Sequence, residues 1–200
     1  MDFLGEPLLG HTIRYALKNK DLLDEIIVST DDPAIKEVAM GYGVKVLDRP
    51  EHLATDTAST ASVLKHAVGE LGETDTVVLL QVTNPLRPVS LLKDALQAFH
   101  EMKADSLITV SPNLQKFGRI TEGKFVPFNY TFGQRSQDME PLYFENGLLY
   151  ISKTSIIKEG RILGDLNHPF VVDHPFGSVD IDVEDDLSWA EFVWKKHYEG

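Results

Sequence analysis

The apolar positions of the chain alternate between helical spacing and short continuous runs. Helical spacing begins after Pro7, which suits a first helical turn, and again after Asp32, a predicted N-cap followed by proline. The predicted helices cover residues 8–17, 33–41, 59–71, 90–102 and 184–197. Apolar, β-branched runs predict strands at residues 25–29, 44–47, 76–81, 106–111, 147–152 and 170–173.

This alternation predicts the fold class. Buried strands separated by helices of this length indicate right-handed βαβ crossovers and a parallel sheet. We expect an α/β protein, with a three-layer α/β/α doubly wound, mostly parallel sheet. Residues 1–200 would form a single domain.

Regular alternation lapses between residues 112 and 146. Aromatic and apolar residues are interspersed with turn residues there, at Phe117, Ile120, Phe125, Val126, Phe128, Tyr130 and Phe132. We interpret this stretch as an antiparallel arm within the same domain.

The charge balance of the chain narrows the classes of partner. The formal net charge is −12, and the sequence shows no basic face. A general nucleic-acid binder needs such a face, so nucleic acid is excluded as a partner. An acidic protein binds small anions locally, through a few arginines, helix N-termini or a metal ion.

The composition excludes further classes. The sequence contains no cysteine, which excludes disulfides, Cys-zinc sites and thiol nucleophiles. No apolar run approaches the roughly 18 residues that span a membrane. Residues 1–11 lack the basic and apolar regions of a signal peptide, so we expect a cytoplasmic protein. Nucleophile-elbow motifs and Gly-rich phosphate loops are also missing.

Loops at one edge of the predicted sheet are the first candidates for ligand binding. In doubly wound sheets, ligands bind beyond the carboxyl ends of the strands. This rule selects residues 29–32, 49–60, 81–88 and 180–182.

Residues 178–183 (SVDIDV) combine two carboxylates with apolar residues. In an extended segment Asp180 and Asp182 share one face, and Val179, Ile181 and Val183 share the other. Two nearby carboxylates repel each other, and a hard cation such as Mg²⁺ relieves that repulsion. The string fits equally well an edge strand with a solvated acidic face, followed by a helix N-cap at Glu184 or Asp185.

Residues 81–88 (QVTNPLRP) follow the most hydrophobic predicted strand. Gln81 and Thr83 suit hydrogen bonding to a sugar or a base, and Arg87 could pair with a carboxylate. Gln81 closes a Val-Val-Leu-Leu run, where a polar side chain is unfavourable without a partner, so we favour a functional role. For Asn84 and Ser90 we favour capping of the following helix.

Two other loops carry candidate binding residues. Residues 56–60 are small and polar at a predicted helix N-terminus, which suits an anion, and Ser59 would cap that helix. Arg135 lies near Asp138 and could form a surface ion pair. Asn146 and Gly147 form a dipeptide typical of a turn.

The order of these strings resembles that of the acylneuraminate cytidylyltransferases, also called CMP-sialic acid synthetases. The strings are residues 4–8 (LGEPL), 27–31 (IVSTD), Arg49 with Asp56 and residues 59–60, then residues 81–87, 135–138 (RSQD), 146–147 and 178–182. The resemblance covers essentially the whole chain. It implies a nucleotide-diphospho-sugar transferase-like fold and transfer of CMP from CTP to an acidic nine-carbon sugar. N-acetylneuraminate or a related legionaminic- or pseudaminic-type acid would be the acceptor, with pyrophosphate released and Mg²⁺ as cofactor.

The resemblance also implies residue roles. Asp180, Asp182 and Arg49 would be the catalytic residues, with the two aspartates as magnesium ligands and Arg49 near the nucleotide. Gln81 would bind the sugar, Arg135 would neutralise an anionic group, and Asn146 would shape the sugar pocket. With the candidates from the loops, the substrate-binding set is Gln81, Thr83, Arg135, Asn146, Asp56 and Thr60.

The family's arm packs on a second subunit. Residues 117–138 would therefore form a homodimer contact, which suits an aromatic-rich stretch that is hard to bury within one subunit.

Two departures from the family pattern are visible. Family members begin with a strand and a loop containing glycine, lysine and arginine that cradles the CTP phosphates. This segment precedes the position of Leu4, and we expect the given chain to lack it. Residues 161–163 (RIL) stand where relatives often carry aromatic residues, so the pocket would suit a different acyl sugar.

Two alternative functions stay open. One is a cytidylyltransferase for the eight-carbon sugar acid of lipopolysaccharide. The other is a non-catalytic homologue that pairs with a complete enzyme through its arm.

Overall fold

In the computed structural model, which describes residues 1–198, five helices lie close to the predicted segments and a sixth, at Thr154–Lys158, was not predicted. They are α1 (Leu8–Lys18), α2 (Pro33–Gly41), α3 (Thr60–Leu71), α4 (Leu91–Glu101), α5 (Thr154–Lys158) and α6 (Glu184–Tyr198). Asp32 and Ser59 cap α2 and α3 as predicted, because each side chain accepts backbone N–H hydrogen bonds from the first turn. Within residues 1–198, none of the helices is long and apolar enough to cross a membrane.

Each predicted strand overlaps an observed one. The strands are β1 (Asp2–Phe3), β2 (Glu6–Pro7), β3 (Ile27–Thr30), β4 (Lys45–Asp48), β5 (Thr76–Leu79), β6 (Ser106–Asn113), β7 (Gly118–Thr121), β8 (Lys124–Pro127), β9 (Leu142–Lys153) and β10 (Asn167–Val171). The predicted strand at residues 147–152 is the second half of β9. The two-residue strands β1 and β2 form a tight hairpin before α1.

The main sheet is mixed and has the order β10–β6–β9–β5. β10 is parallel to β6, whereas β9 is antiparallel to both β6 and β5. Three strands therefore point the same way, in agreement with the predicted α/β class, and β9 alone is reversed. It is reversed because the chain leaves β6 at Asn113 and returns beside it at Leu142. β3 and β4 form a separate parallel pair.

Among the described residues, the core is divided into three apolar clusters. The largest packs α4 against the main sheet, with Leu92, Leu107 and Leu149 fully buried. A second cluster joins the first hairpin to the segment before α6, through Phe3 and Ile181 among others. The third packs α1 and α2 against the β3–β4 pair. The second cluster fixes the backbone on which Asp180 and Asp182 are placed.

The arm extends from the main sheet between β6 and β9. Its centre is the antiparallel hairpin β7–β8, which agrees with the predicted antiparallel excursion. Its apolar side chains are largely exposed: Ile120 is 83% exposed and Phe132 is 72% exposed. A subunit contact through this arm stays a prediction.

Candidate active site

A pocket of about 200 Å³ opens between the end of β5 and β9. The residues that line it come from α3, β5 and the loop after it, β9, and the loop after α5. They are Thr60, Leu79, Gln81, Glu145, Tyr150, Ile162 and Leu163. Of the predicted substrate-binding residues, this pocket contains Gln81 and Thr60, and it also contains residues 162 and 163 from the departure noted in the sequence.

The backbone of Gln81 is fixed at the rim of the pocket by a hydrogen bond from Arg87. Its carbonyl oxygen accepts a hydrogen bond of 2.6 Å from Nη2 of Arg87. Its side-chain Oε1 lies 2.5 Å from the position that a Cβ on residue 147 would occupy. The side chain is therefore packed against the backbone of β9 at a place where only glycine fits.

Arg87 is a buried cross-link rather than an ion-pair partner. It is 2% exposed, and it donates to the carbonyl oxygen of Leu148 at 2.7 Å and to Oγ1 of Thr12 at 3.2 Å, besides Gln81. The predicted pairing with a carboxylate is wrong, because the guanidinium turns inward and satisfies carbonyl and hydroxyl oxygens. Burial lowers the pKa of Arg87 to about 10.

Asn84 ties the same loop to two other segments. It is 1% exposed, and its Nδ2 donates to the carbonyl oxygens of Asn146 at 3.2 Å and Val179 at 2.9 Å. The capping role predicted for Asn84 is therefore wrong. The role predicted for Ser90 is also wrong, since its side chain makes no capping hydrogen bond to the described part of α4.

Asn146 and Gly147 form a bulge inside β9, so the predicted turn is wrong. The pairing register jumps from Tyr150 opposite Ile108 to Glu145 opposite Val110, which leaves the residues between them bulged. Gly147 has a φ of +70°, a left-handed conformation that explains why glycine follows asparagine here.

The side chain of Asn146 is hydrogen-bonded within the protein through both its oxygen and its nitrogen. Its Oδ1 accepts from Oγ1 of Thr109 at 2.6 Å and from the N–H of Leu148 at 3.1 Å, and its Nδ2 donates to Oγ of Ser111 at 3.0 Å. Asn146 therefore shapes the bulge beside the pocket, and it does so from a buried position.

Glu145 and Tyr150 form a polar pair within the pocket lining. The hydroxyl of Tyr150 donates a hydrogen bond to Oε1 of Glu145. Burial raises the pKa of Tyr150, and the hydrogen bond with Glu145 and the negative charges of Glu145 and Asp180 raise it further. The phenol is thus held in its neutral, donating form. Sequence reasoning missed this pair; the available signal is a tyrosine in the apolar run of β9, where its hydroxyl needs a partner.

Asp180 and Asp182 project from an extended segment whose alternate residues are buried. Val179 and Ile181 belong to the core, and the N–H of Ile181 donates to the carbonyl oxygen of Thr83 at 2.8 Å. This contact places the carboxylates beside residues 81–87. The predicted alternation fails at Val183, which is 57% exposed.

The alternation fails because the chain turns into α6. The N–H groups of Asp182 and Val183 both donate to Oδ2 of Asp186, each at 2.9 Å. Asp186, and not the predicted Glu184 or Asp185, therefore supplies the carboxylate that satisfies the backbone before the helix.

The donor set at Asp180 and Asp182 fits Mg²⁺. Desolvation raises the pKa of Asp180, a hydrogen bond with Thr83 lowers it, and the charges of Asp182 and Asp186 raise it. A divalent cation would relieve this repulsion. The described residues contain no group of three or more histidine, cysteine or carboxylate side chains arranged to hold a metal. Two carboxylates suit a magnesium ion whose other ligands are phosphate oxygens and water.

The other predicted residues lie outside this pocket lining. Arg49 follows β4, and its Nη2 donates to the carbonyl oxygen of Ser29 at 2.5 Å. Asp56 is exposed in the loop before α3. Arg135 is exposed in the arm and forms the predicted ion pair with Asp138, through two hydrogen bonds of 2.8 and 3.0 Å.

The chain is similar to known sugar-acid cytidylyltransferases. A family model described as Cytidylyltransferase matches residues 1–158. The chain is 31% identical over 214 residues to the pseudaminic acid cytidylyltransferase of Campylobacter jejuni, covering 100% of this chain and 90% of that protein. It is 30% identical over 191 residues to the N-acylneuraminate cytidylyltransferase of Streptococcus agalactiae, covering 92% of this chain and 46% of that protein. The chain thus spans about half the length of the streptococcal relative.

Solved structures give the same fold. A CMP:2-keto-3-deoxy-manno-octonic acid synthetase complexed with CTP superposes with a TM-score of 0.71 at 14% identity, covering 98% of this chain and 90% of that one. A 4-diphosphocytidyl-2C-methyl-D-erythritol synthase from Anaerococcus prevotii gives a TM-score of 0.71 at 15% identity, covering 97% and 88%. At these identities the superpositions support the fold, and the family match supplies the assignment: this chain belongs to the cytidylyltransferase family.

Proposed function

We propose that this chain transfers CMP from CTP to an acidic nine-carbon sugar of the N-acylated class, releasing pyrophosphate. The observation that carries the proposal is the placement of Asp180 and Asp182 beside residues 81–87, whose Gln81 lines a pocket large enough for part of a sugar. The names of the relatives from C. jejuni and S. agalactiae support this acceptor class.

The proposed reaction is an in-line displacement at the α-phosphorus. The anomeric hydroxyl of the sugar attacks, the bond to the pyrophosphate oxygen breaks, and no covalent enzyme intermediate is needed. Such a transfer depends on positioning and on neutralising phosphate charge. When bound at Asp180 and Asp182, Mg²⁺ would supply part of that neutralisation.

Residues of this chain would orient the two substrates. Gln81 would hydrogen-bond the sugar from its fixed position at the rim, and Thr83 would stand beside Asp180, whose carboxylate it contacts. The backbone N–H groups at the N-terminus of α3, where Thr60 lies, would favour an anionic group, and Asp56 in the loop before it would accept a hydrogen bond from a substrate donor. Arg49 would add positive charge on the nucleotide side, and Asn146 would hold the bulge in shape.

A homodimer is part of the proposal. The arm exposes apolar residues on both β7 and β8, among them Ile120 and Phe125. Exposed apolar surface of this kind is typical of protein contacts. Arg135 in the arm would then neutralise an anionic group in the cleft.

The test is a sugar-dependent assay of pyrophosphate release from CTP. We expect turnover with an N-acylated nine-carbon acid and little with the eight-carbon acid 3-deoxy-manno-octulosonate. Asp180→Asn and Asp182→Asn should each lower kcat by about a hundredfold or more. Asp185→Asn, on the exposed start of α6, is the matched control and should leave turnover unchanged.

Chelation of divalent metal should abolish turnover, and added Mg²⁺ should restore it. Faster turnover of the eight-carbon acid than of the nine-carbon acid would mean that the eight-carbon acid is the preferred acceptor. Failure to turn over either acid, with CTP binding also absent, would overturn the enzymatic proposal.

A further inference from the structure

The last helix, α6, exposes aromatic side chains on a face outside the core. It buries Ala190 and Val193 in the second apolar cluster, and a surface helix with one buried stripe normally carries polar residues on its other faces. On α6, however, Trp189 is 49% exposed and Phe192 is 55% exposed. The helix therefore has a second apolar stripe, which the described part of the chain leaves half uncovered.

The two aromatic side chains are held in place. Their rings are stacked, with centroids 5.6 Å apart and an angle of 25° between the planes. Nε1 of Trp189 donates to the carbonyl oxygen of Ser178 at 3.3 Å, which fixes the indole against the segment before Asp180. Aromatic surface that is already ordered loses little conformational entropy when a partner covers it, and tryptophan is enriched among the residues that dominate binding energy. The stripe thus has the properties of a protein contact.

Opposite charges flank the aromatic pair on the same stripe. Asp185, Trp189, Phe192 and Lys196 follow one another at intervals of four, three and four residues, the spacing of one side of a helix. Both charged side chains are exposed, and within residues 1–198 neither forms an ion pair. They cannot pair with each other, because they lie about 16 Å apart along the helix axis.

This arrangement is complementary to itself about a twofold axis. The midpoint between Trp189 and Phe192 is also the midpoint between Asp185 and Lys196. When two α6 helices pack antiparallel about that point, Trp189 of each copy meets Phe192 of the other, and Asp185 meets Lys196. The same symmetry brings the acidic first turn of each helix to the basic last turn of the other. A parallel pairing would instead place like charges together.

We infer that this face of α6 is a self-association surface, whose partner is α6 of a second copy of the chain in antiparallel orientation. It lies on a different element from the arm, and it does not depend on the proposed reaction. Together with the proposed arm contact, it would assemble dimers into larger species. A pair of 15-residue helices is smaller than a standard interface of roughly 1,600 Å², so we expect a Kd of about 1–100 μM.

Charge reversal tests the inference. Asp185→Lys and Lys196→Asp should each raise the Kd of the α6 contact about tenfold, because each places like charges together at two symmetry-related positions. The variant with both reversals restores opposite charges and should return to within about threefold of the wild-type Kd. Sedimentation velocity over a concentration series measures these constants. The arm is the same in every variant, so the differences report on α6.

Two further variants serve as a control and as a measure of the aromatic centre. Lys93→Asp changes the charge equally at an exposed position on α4 and should leave association unchanged. Phe192→Ala should raise the Kd about tenfold or more, because it removes part of the centre of the contact. All of the substituted side chains are exposed, so unfolding followed by circular dichroism should stay close to wild type.

Introduced thiols test the antiparallel register, because the chain contains no cysteine of its own. A mixture of Asp185→Cys and Lys196→Cys chains should form a disulfide between copies under mild oxidation. Neither variant alone should form one across this contact, because equivalent positions then lie at least about 16 Å apart.

The outcomes decide the inference independently of turnover. Single reversals that leave the Kd unchanged would overturn it, and so would a loss of association that the double reversal does not recover. A wild type that shows no association beyond the arm contact would overturn it as well. Cross-linking within one cysteine variant and not in the mixture would exclude the antiparallel arrangement. In each of these cases the assay of pyrophosphate release still tests the proposed function.

Discussion

Residues 81–87 and the arm hairpin β7–β8 both connect elements of the main sheet, yet they are built in opposite ways. In the first loop Asn84 and Arg87 are almost completely buried and donate to backbone carbonyls of β9 and of the segment before Asp180. In the arm, Ile120 and Phe132 face outward. The pocket geometry is therefore fixed within one chain, whereas the arm presents apolar surface that the chain itself does not cover.

The arm also differs in net charge from the rest of the chain. The chain carries a net charge of −12, whereas the arm, residues 112–146, balances four basic residues with four acidic ones: Lys116, Arg119, Lys124 and Arg135 against Glu122, Asp138, Glu140 and Glu145. Lys116 and Arg119 lie over the rings of Tyr130 and Phe128, respectively. An aromatic arm without net charge can approach the acidic surface of a second copy with less repulsion than the rest of the chain.

The largest contrast should come from removing one arginine in each region. Arg87→Met should lower the free energy of unfolding by about 3–5 kcal/mol, because several buried acceptors lose their donor together. Arg119→Met, at an exposed site in the arm, should change it by less than about 0.5 kcal/mol. Urea unfolding followed by circular dichroism measures both. Equal losses would show that the arm is as integral to the fold as the loop.

Glycine replacement gives a second matched pair. Gly147→Ala puts a methyl group 2.5 Å from Oδ1 of Asn84 and Oε1 of Gln81, at a φ of +70°. Gly123→Ala in the arm has a φ of +72° but nothing within 4 Å. We expect losses of about 2–4 kcal/mol at residue 147 and about 1 kcal/mol at residue 123, where only the backbone strain applies. Similar losses would mean that close packing around Gly147 contributes little.

Charged substitutions in the arm should affect assembly and not folding. The double variant Ile120→Asp with Phe128→Asp should raise the dissociation constant of the expected dimer about tenfold or more. The unfolding free energy at low protein concentration should stay nearly constant, because both side chains are exposed. Sedimentation velocity over a concentration series checks this. An unchanged dissociation constant of the dimer would show that the subunit contact does not depend on these arm residues.

The smallest expected effect is a dependence of the unfolding free energy on pH. It should arise in the segment before Asp180 and not in the arm. The arm contains no histidine. The pKa of His174 is lowered by burial and by His197, and its Nδ1 accepts the N–H of Phe176 at 3.2 Å, a bond that protonation breaks. Because the pKa of His174 is lowered in the folded state, this residue stabilises the fold at pH values above its ordinary pKa of 6.5. We expect this contribution to be lost as pH falls from 6.5 through the folded-state pKa.

The check is a series of urea midpoints between pH 7.5 and pH 5.5, the range in which a histidine near its ordinary pKa titrates. His174→Gln should flatten the decline relative to wild type. His52→Gln, at an exposed turn, is the control and should not. An equally steep decline in both variants would assign the pH dependence elsewhere.

Local contacts made much of the fold predictable from sequence, and distant contacts did not. Asp32 and Ser59 cap helices through atoms two or three residues away, and the strands follow from apolar runs. Asn84 and Arg87 were misassigned because their partners, Val179 and Leu148, lie far along the chain. Such pairings depend on tertiary structure, which no local pattern encodes.

The same distinction holds within the candidate site. The positions of Gln81, Asp180 and Asp182 at one edge follow from strand ends and alternation. The pair of Glu145 and Tyr150 depends on the bulge, which an Asn-Gly dipeptide does not distinguish from a turn. Val183 is exposed although the alternation of buried and exposed residues predicts burial. The reason is that its backbone N–H donates to Asp186 where the chain enters α6.

The position of β9 between β5 and β6 has a consequence for how the chain is made. Thr76 of β5 pairs with Lys153 at the far end of β9, so β5 emerges from the ribosome long before its neighbour has been synthesised. β6 is likewise synthesised before both of its neighbours in the sheet, β9 and β10. Contacts of such long range form slowly, and unpaired strands are prone to aggregate in the interval. The pocket shared by β5 and β9 is therefore among the last parts of the molecule to take shape.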